Sequence, residues 1–227
     1  MASRRTVRAG FLAVAAVASL LLAATGCGGG GGGGEDEKVA AEDLAGTELC
    51  GGDAVSAEAS EALKVITGAA RFGTTAETST VAHAAKDLVE AWPYPTGGRD
   101  DVCRVYTAAG SPEFELRVTW GLEGDAPTGS TASDLTRLRM GERTLAGEKS
   151  ASVVFGCRSD RFPGATKPAH VRIGVERWGM PKPVEGDAEA LRDAYATVAH
   201  SFSLAMAKEL GCEENGGLPE EAVLERA

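Results

Sequence analysis

Five cysteines are the residues of this 227-residue chain whose side chains are best suited to covalent chemistry. They are widely spaced, at Cys27, Cys50, Cys103, Cys157 and Cys212. Cysteines serve as thiol nucleophiles, as zinc ligands, as halves of disulfides or as sites of covalent modification. Structural zinc sites usually contain cysteine pairs spaced as C-x-x-C. No two cysteines here have that spacing, so the pattern disfavours zinc.

Cys27 differs from the other four cysteines in what precedes it. The first ten residues contain three arginines and no acid, and residues 11–24 are apolar apart from Ser19. A basic segment, a short apolar run and small residues form an export signal. The run of about 14 residues is too short to cross a ~30 Å hydrocarbon core as a helix.

Residues 24–27, Ala-Thr-Gly-Cys, resemble the lipobox of bacterial lipoprotein precursors, with alanine where leucine is usual. The resemblance implies that residues 1–26 are a signal peptide. It further implies that Cys27 becomes the mature N-terminus, carries a diacylglyceryl group and holds the protein in the cell membrane on its extracytoplasmic face. Arg4 and Arg5 also resemble the pair of a twin-arginine signal, so both export routes stay open.

The residues after Cys27 predict a flexible tether over 27–44. Residues 28–34 are all glycine, and three acidic residues follow at 35–37. Glycine has no side chain to pack and loses the most entropy on ordering. A phosphate-binding glycine loop is the alternative, but no strand pattern precedes the run and no Lys-Ser or Lys-Thr follows it. We expect one domain over 45–213 and an acidic tail over 214–227.

With Cys27 lipidated, the four remaining cysteines predict two disulfides, because exported proteins meet an oxidising environment. Four cysteines allow three pairings, which sequence alone does not distinguish. We prefer Cys50 with Cys103 and Cys157 with Cys212, since each pair would join a neighbouring helix and strand.

No catalytic constellation is visible, so we expect no catalytic residue, no metal ligand and no cofactor. His83 and His200 fall on the polar sides of two predicted helices, and His170 faces outward on a predicted strand. The chain lacks H-E-x-x-H, G-x-S-x-G, S-x-x-K and G-K-[ST]. Asp100 and Asp101 lack the alternating ligands of a calcium loop and indicate a turn.

Two segments rich in tryptophan and proline are candidate binding loops: WPYP, with Trp92 and Tyr94, and WGMPKP, which starts at Trp178. An exposed tryptophan held beside prolines can anchor a ligand. The simpler alternatives are that Trp92 packs at the end of its helix and that Trp178 caps the edge of the sheet.

The net charge of −10 argues against nucleic acid as a partner, because phosphates repel an acidic surface. Removing the leader, with its three arginines, makes the mature chain more acidic still. The expected partners are therefore the membrane, through the lipid on Cys27, and an envelope protein or other envelope component.

The pattern of apolar residues predicts the order α-α-β-β-β-β-α. The helices begin near Ser56, Thr80 and Asp187, where capping residues precede apolar residues at helical spacing. The alternating strands lie near 102–107, 114–122, 150–157 and 171–175. Residues 135–145 fit either a short helix or an edge strand. The predicted fold class is therefore α+β, with an antiparallel sheet of about four strands and helices on one face.

These features favour a lipid-anchored, non-catalytic binding or accessory module of the cell envelope. Two alternatives stay open: an envelope hydrolase whose site assembles only in the fold, and a structural surface protein. Neither the ligand nor the oligomeric state follows from the sequence.

Overall fold

The computed structural model describes residues 41–74, 78–92, 99–107, 114–178 and 186–227. This part of the chain contains eight strands: β1 Ala41–Leu44, β2 Phe72–Thr74, β3 Arg99–Thr107, β4 Glu115–Glu123, β5 Thr136–Leu138, β6 Arg143–Ala146, β7 Ser150–Cys157 and β8 Ala169–Trp178. It also contains three α-helices and two 3-10 segments: α1 Ala57–Thr67, α2 Val81–Ala91, α3 Ala188–Glu209, and 3-10 turns at Gly46–Gly51 and Glu213–Gly217.

All eight strands form one antiparallel sheet in the order β1-β2-β3-β4-β8-β7-β6-β5. Each half of the chain contributes four neighbouring strands, β1 to β4 and β5 to β8. The two halves meet where β4 pairs with β8. The predicted sheet of about four strands is therefore wrong in size.

Short strands account for the difference. The strands β2 and β5 have three residues each, and β1 and β6 have four, so none repeats the two-residue alternation often enough to be recognised. They are strands because their neighbours pair with them, not because of their own composition. Residues 135–145, left undecided between helix and edge strand, contribute the β5–β6 hairpin. Residues 41–44, assigned to the tether by sequence, form β1.

One face of the sheet is the hydrophobic core. Alternate residues of its two central strands are at most 3% exposed: Leu116, Val118 and Trp120 on β4, and Val171, Ile173 and Val175 on β8. The helix α3 packs against β6, β7 and β8, α2 packs against β3 and β4, and α1 packs on α3. The buried face of α3 includes Tyr195, Val198 and Phe202, each at most 1% exposed.

The predicted helix starts are confirmed, because each capping side chain accepts a backbone hydrogen bond. Ser56 accepts from the Ala59 N–H at 3.1 Å, and Asp187 accepts from the Ala190 N–H at 2.9 Å. Thr80 does the same at the start of α2. Gly68 ends α1 with a φ of 71°, a left-handed conformation that favours glycine.

Two disulfides tie the ends of these elements to the sheet, with the pairing preferred from the sequence. Cys50, in the first 3-10 turn, bonds to Cys103 of β3. Cys157, at the end of β7, bonds to Cys212, which follows α3. They join residues 53 and 55 positions apart in sequence. In the chain-entropy model, loops of that length stabilise the fold by about 4 kcal/mol each.

The C-terminal tail lies along the outer edge of the sheet. Leu218 is 5% exposed, and the Arg139 N–H donates to the Glu225 carbonyl at 2.9 Å. The Ala227 N–H donates to the Arg137 carbonyl at 3.0 Å. Residues 214–227, expected from the sequence to be a tail outside the domain, cover the free edge of β5. An uncovered edge invites pairing with other chains, so the tail protects the sheet.

Candidate functional site

The second face of the sheet is polar and has no described helix over it. Side chains that alternate with the core residues of β4, β8 and β7 point to this side, and all are half-buried: Arg117, Thr119, Arg172, Gly174, Glu176, Ser150 and Ser152. We call it the open face. A half-buried polar surface in the middle of a sheet can bind ligands through its side chains, because its backbone groups already pair within the sheet.

The centre of the open face is a row of small residues. Gly174 of β8 lies between Thr119 of β4 and Ser152 of β7 in the strand register. A Cβ at Gly174 would come 2.9 Å from the Thr119 Oγ1, closer than real side chains pack. The glycine therefore leaves a depression at the centre of the open face, with larger side chains on either side.

This row forms the floor of a groove with a volume of about 440 Å³. That volume lies within the usual range for small-molecule sites. The charged and aromatic residues at its walls are Arg99, Asp100, Asp101, Arg117, Arg172, Glu176 and Trp178. Leu135, Leu145 and Ser150 line it as well.

Asp101 organises one wall of the groove. Its Oδ1 accepts from the Arg117 Nε at 2.5 Å, and its Oδ2 accepts from the Arg104 Nε at 2.9 Å. Both carboxylate oxygens are therefore used by guanidinium groups. On the other side of the floor, Arg172 pairs with Glu123. The interpretation of Asp100 and Asp101 as turn residues is wrong, because both lie in β3 and pair with β4.

Trp178 lies at the rim of the groove, at the end of β8, and is 49% exposed. The Arg117 guanidinium carbon is 5.0 Å from the centre of its ring, a cation–π distance. Because Trp178 pairs with Glu115 across the β4–β8 ladder, it lies at the end of a central strand and does not cap an edge of the sheet. The sequence interpretation of Trp178 as a candidate binding residue fits this position.

Trp92 lies elsewhere. Its ring is 5.1 Å from that of Phe162, and it is partly buried against the core. Phe162 belongs to the connection from β7 to β8, at the opposite end of β8 from Trp178. The structure therefore does not bring Trp92 and Trp178 together, and Tyr94 lies outside the described residues.

The three histidines occupy three separate places. His83 is exposed on α2, with Nε2 3.5 Å from an Asp87 carboxylate oxygen. The Nδ1 of His170 lies 2.7 Å from the Glu142 Oε2 at the far end of the open face. His200 was expected on a solvated helix face, but it is 4% exposed because the C-terminal tail covers it.

Burial has an electrostatic consequence for His200. Loss of solvent lowers the pKa of His200, and this outweighs the opposing hydrogen bond between its Nε2 and the Pro219 carbonyl at 2.9 Å. His200 is therefore held neutral inside the fold, in a structural position.

Within the residues that the structure describes, no group of three or more His, Cys, Asp or Glu side chains is arranged to hold a metal ion. The helices among the same residues are too short or too polar to cross a membrane. Cys27 lies outside the described residues, so its lipidation stays a prediction from the sequence.

Comparisons of this chain with protein-family models, with curated proteins and with solved structures found no match.

Most of this site was missed at the sequence level. The sequence singles out Trp178, but Arg117, Thr119 and Arg172 count there only as the polar half of alternating strands, and Gly174 is not distinguished. That alternation was the available signal, since it assigns the four residues to one face. The alternation does not predict that β4 pairs with β8, because these strands lie about 50 residues apart in the chain.

Proposed function

We propose that the protein is a lipid-anchored binding module on the extracytoplasmic face of the cell membrane, with its ligand site in the groove of the open face. The main support for this site is the groove itself, whose floor consists of the small residues Thr119, Gly174 and Ser152. Its walls are formed by paired charged side chains and Trp178. The anchor is supported by the basic and apolar leader and the Ala-Thr-Gly-Cys segment that ends at Cys27. The two disulfides fit an exported domain.

The groove is better suited to binding than to hydrolysis. A hydrolytic carboxyl pair needs one group free to give up or take a proton across a cleft. Asp101 has both oxygens occupied by guanidinium groups. Such an arrangement holds the side chains in place for recognition.

The anchor is tested by expressing the full chain and its Cys27→Ala variant in a bacterial host supplied with tritiated palmitate. The parent chain should incorporate label and enter the detergent phase, and the variant should do neither. Equal labelling of both chains would contradict lipidation at Cys27.

The site is tested with the full-length protein in detergent micelles and an isolated, protein-stripped cell envelope as the probe. Pull-down by the envelope should fall at least about tenfold when Trp178 is replaced by alanine, since an aromatic anchor contributes on the order of 2 kcal/mol. Val65→Ala is the matched control, because Val65 is 52% exposed on α1 and Trp178 is 49% exposed. Equal loss in both variants, or in neither, would contradict binding at the open face.

A second candidate function, an envelope hydrolase, rests on the pair of His170 and Glu142. A carboxylate 2.7 Å from an imidazole nitrogen can orient the ring as a general base. Glu142 also lines a cleft near the second 3-10 turn, together with Arg158 and Glu213. The test is a panel of ester, amide and glycoside reporters. Hydrolysis of any of them by the parent, with loss of that activity in His170→Gln, would establish this function.

A further inference from the structure

The composition of the groove also points to the class of ligand. We propose that the groove binds a neutral glycan segment, an uncharged and hydroxyl-rich chain, in preference to an anionic polymer or a peptide. This inference rests on the proposed function. Four features of the groove support this assignment: its balanced charge, its hydrogen-bond donors and acceptors, its exposed indole and its position inside the sheet.

The charges that line the groove cancel. Three arginines face it, Arg99, Arg117 and Arg172, and three acids face it, Asp100, Asp101 and Glu176. The side chains that line the groove therefore carry no net charge, whereas sites for anionic polymers have an excess of Lys and Arg.

The central arginines are also already paired, Arg117 with Asp101 and Arg172 with Glu123. An anionic ligand that contacted these arginines would lie close to a half-buried carboxylate, and the two negative charges would repel each other. A neutral ligand leaves both pairs intact.

The groove offers both hydrogen-bond donors and acceptors, as a polyol requires. A guanidinium has five N–H donors, of which a single carboxylate uses only some. The carboxylates accept hydrogen bonds, and the hydroxyls of Thr119, Ser150 and Ser152 both donate and accept. Each sugar hydroxyl does both, so neighbouring strands about 4.8 Å apart offer it complementary partners.

Trp178 supplies the apolar surface that the C–H face of a sugar ring packs against. Its side chain is half exposed, and the Arg117 guanidinium carbon packs on the ring 5.0 Å from its centre. A rigid aromatic surface costs little conformational entropy on binding. The alternating hydroxyl and C–H surfaces of a glycan fit a polar floor with an aromatic rim.

A peptide fits this position less well. Extended peptides bind sheets mainly by adding a strand at an open edge, where backbone N–H and C=O groups are free. The groove lies over β4, β8 and β7, whose backbones pair with one another inside the sheet. The free edge of β5, where a peptide could add, is covered by the C-terminal tail.

The test uses the full-length protein in detergent micelles on an array of neutral glycans, uronic-acid and sulfated glycans, polyphosphate and random peptides. We expect binding to at least one neutral glycan and a change of less than about threefold in Kd between 50 mM and 500 mM salt, because few ions are released. Trp178→Ala should weaken that binding at least about tenfold. Trp178→Phe should restore most of it, and Val65→Ala should leave it unchanged.

The outcomes separate this inference from the proposed function. Binding only to anionic probes with a steep salt dependence, or only to peptides, would overturn the glycan assignment. If Trp178→Ala abolished that binding, the result would still support a binding module with its site in the groove. Failure to bind every probe, with no Trp178-dependent retention on envelopes, would overturn both. Both Trp178 variants should keep the parent's melting temperature, because this side chain is half exposed.

Discussion

The Arg117 guanidinium lies 5.0 Å from the centre of the Trp178 ring while its Nε donates to Asp101. One side chain therefore connects the carboxylate wall of the groove to its aromatic rim. The two residues come from different strands, β4 and β8, and are brought together on the open face by the sheet. The geometry of the candidate site depends on this contact.

Replacing Arg117 with alanine should loosen Trp178 without unfolding the domain. Arg117 is 28% exposed and its partner Asp101 keeps Arg104, so the free energy of unfolding should fall by no more than about 1 kcal/mol. Acrylamide should quench the fluorescence of Trp178 more strongly in Arg117→Ala than in the parent. The signal of Trp178 is obtained by subtracting the fluorescence of the same protein with Trp178→Phe. Equal quenching with and without Arg117 would show that the guanidinium does not hold the indole.

About half of this architecture follows from the sequence. The three helices begin at Ser56, Thr80 and Asp187 as expected, because a capping side chain and helical spacing are both local signals. The long strands β4 and β8 follow from alternation of apolar and polar residues. Short strands such as β2 escape prediction, because Phe72 is a strand residue only through its pairing with Thr107.

The site is harder to predict than the strands that build it. Thr119, Gly174 and Ser152 become neighbours only through the register of three strands, and strand order is a property of the whole fold. His200 shows the same limit. Helical phase predicts a solvated position opposite the apolar stripe, which is wrong because His200 is 4% exposed and contacts the Pro219 carbonyl of the C-terminal tail.

Removing the Cys157–Cys212 disulfide should destabilise the domain strongly. The double variant Cys157→Ala/Cys212→Ala should lose about 2–5 kcal/mol of unfolding free energy, measured by urea denaturation. Cys27→Ala is the control and should leave the midpoint unchanged, because Cys27 lies in the region assigned to the tether. An unchanged midpoint in the double variant would contradict a structural role for this bond.

Acid should weaken the fold through His200. Because burial lowers the pKa of His200 in the folded state, the unfolded chain takes up a proton more readily. The stabilisation from neutral His200 is therefore complete above the unfolded pKa of about 6.5 and is lost as pH falls through the lower folded pKa. Glu220, Lys208 and the Pro219 carbonyl are the polar groups acting on this ring.

The measurement is the melting temperature between pH 7.5 and pH 4.5 for the parent, His200→Gln and His83→Gln. The parent and His83→Gln should lose stability more steeply than His200→Gln over this range, since His83 is 49% exposed. Parallel curves for all three proteins would show that His200 does not contribute to the acid response.

Deleting residues 225–227 should open the outer edge of the sheet. The Arg139 N–H would lose its acceptor, the Glu225 carbonyl, and the Arg137 carbonyl would lose the Ala227 N–H. Hydrogen exchange at the Arg139 amide should become at least about tenfold faster, and self-association should rise with concentration because a free edge is exposed. Leu218 and its contacts stay in this truncated chain, so global unfolding is not expected. Unchanged exchange at Arg139 would show that the tail does not protect β5.

Neither disulfide crosses the pairing of β4 with β8. Cys50–Cys103 lies wholly within the first half of the chain and Cys157–Cys212 wholly within the second. A single cut in the connection over 124–135 would thus leave two separately stapled pieces, joined by the β4–β8 ladder and by the packing of α1 on α3. The groove would then belong to neither piece, since its floor takes Thr119 from one and Gly174 from the other. Binding of the proposed ligand by the cut protein would therefore report that the two fragments have reassembled.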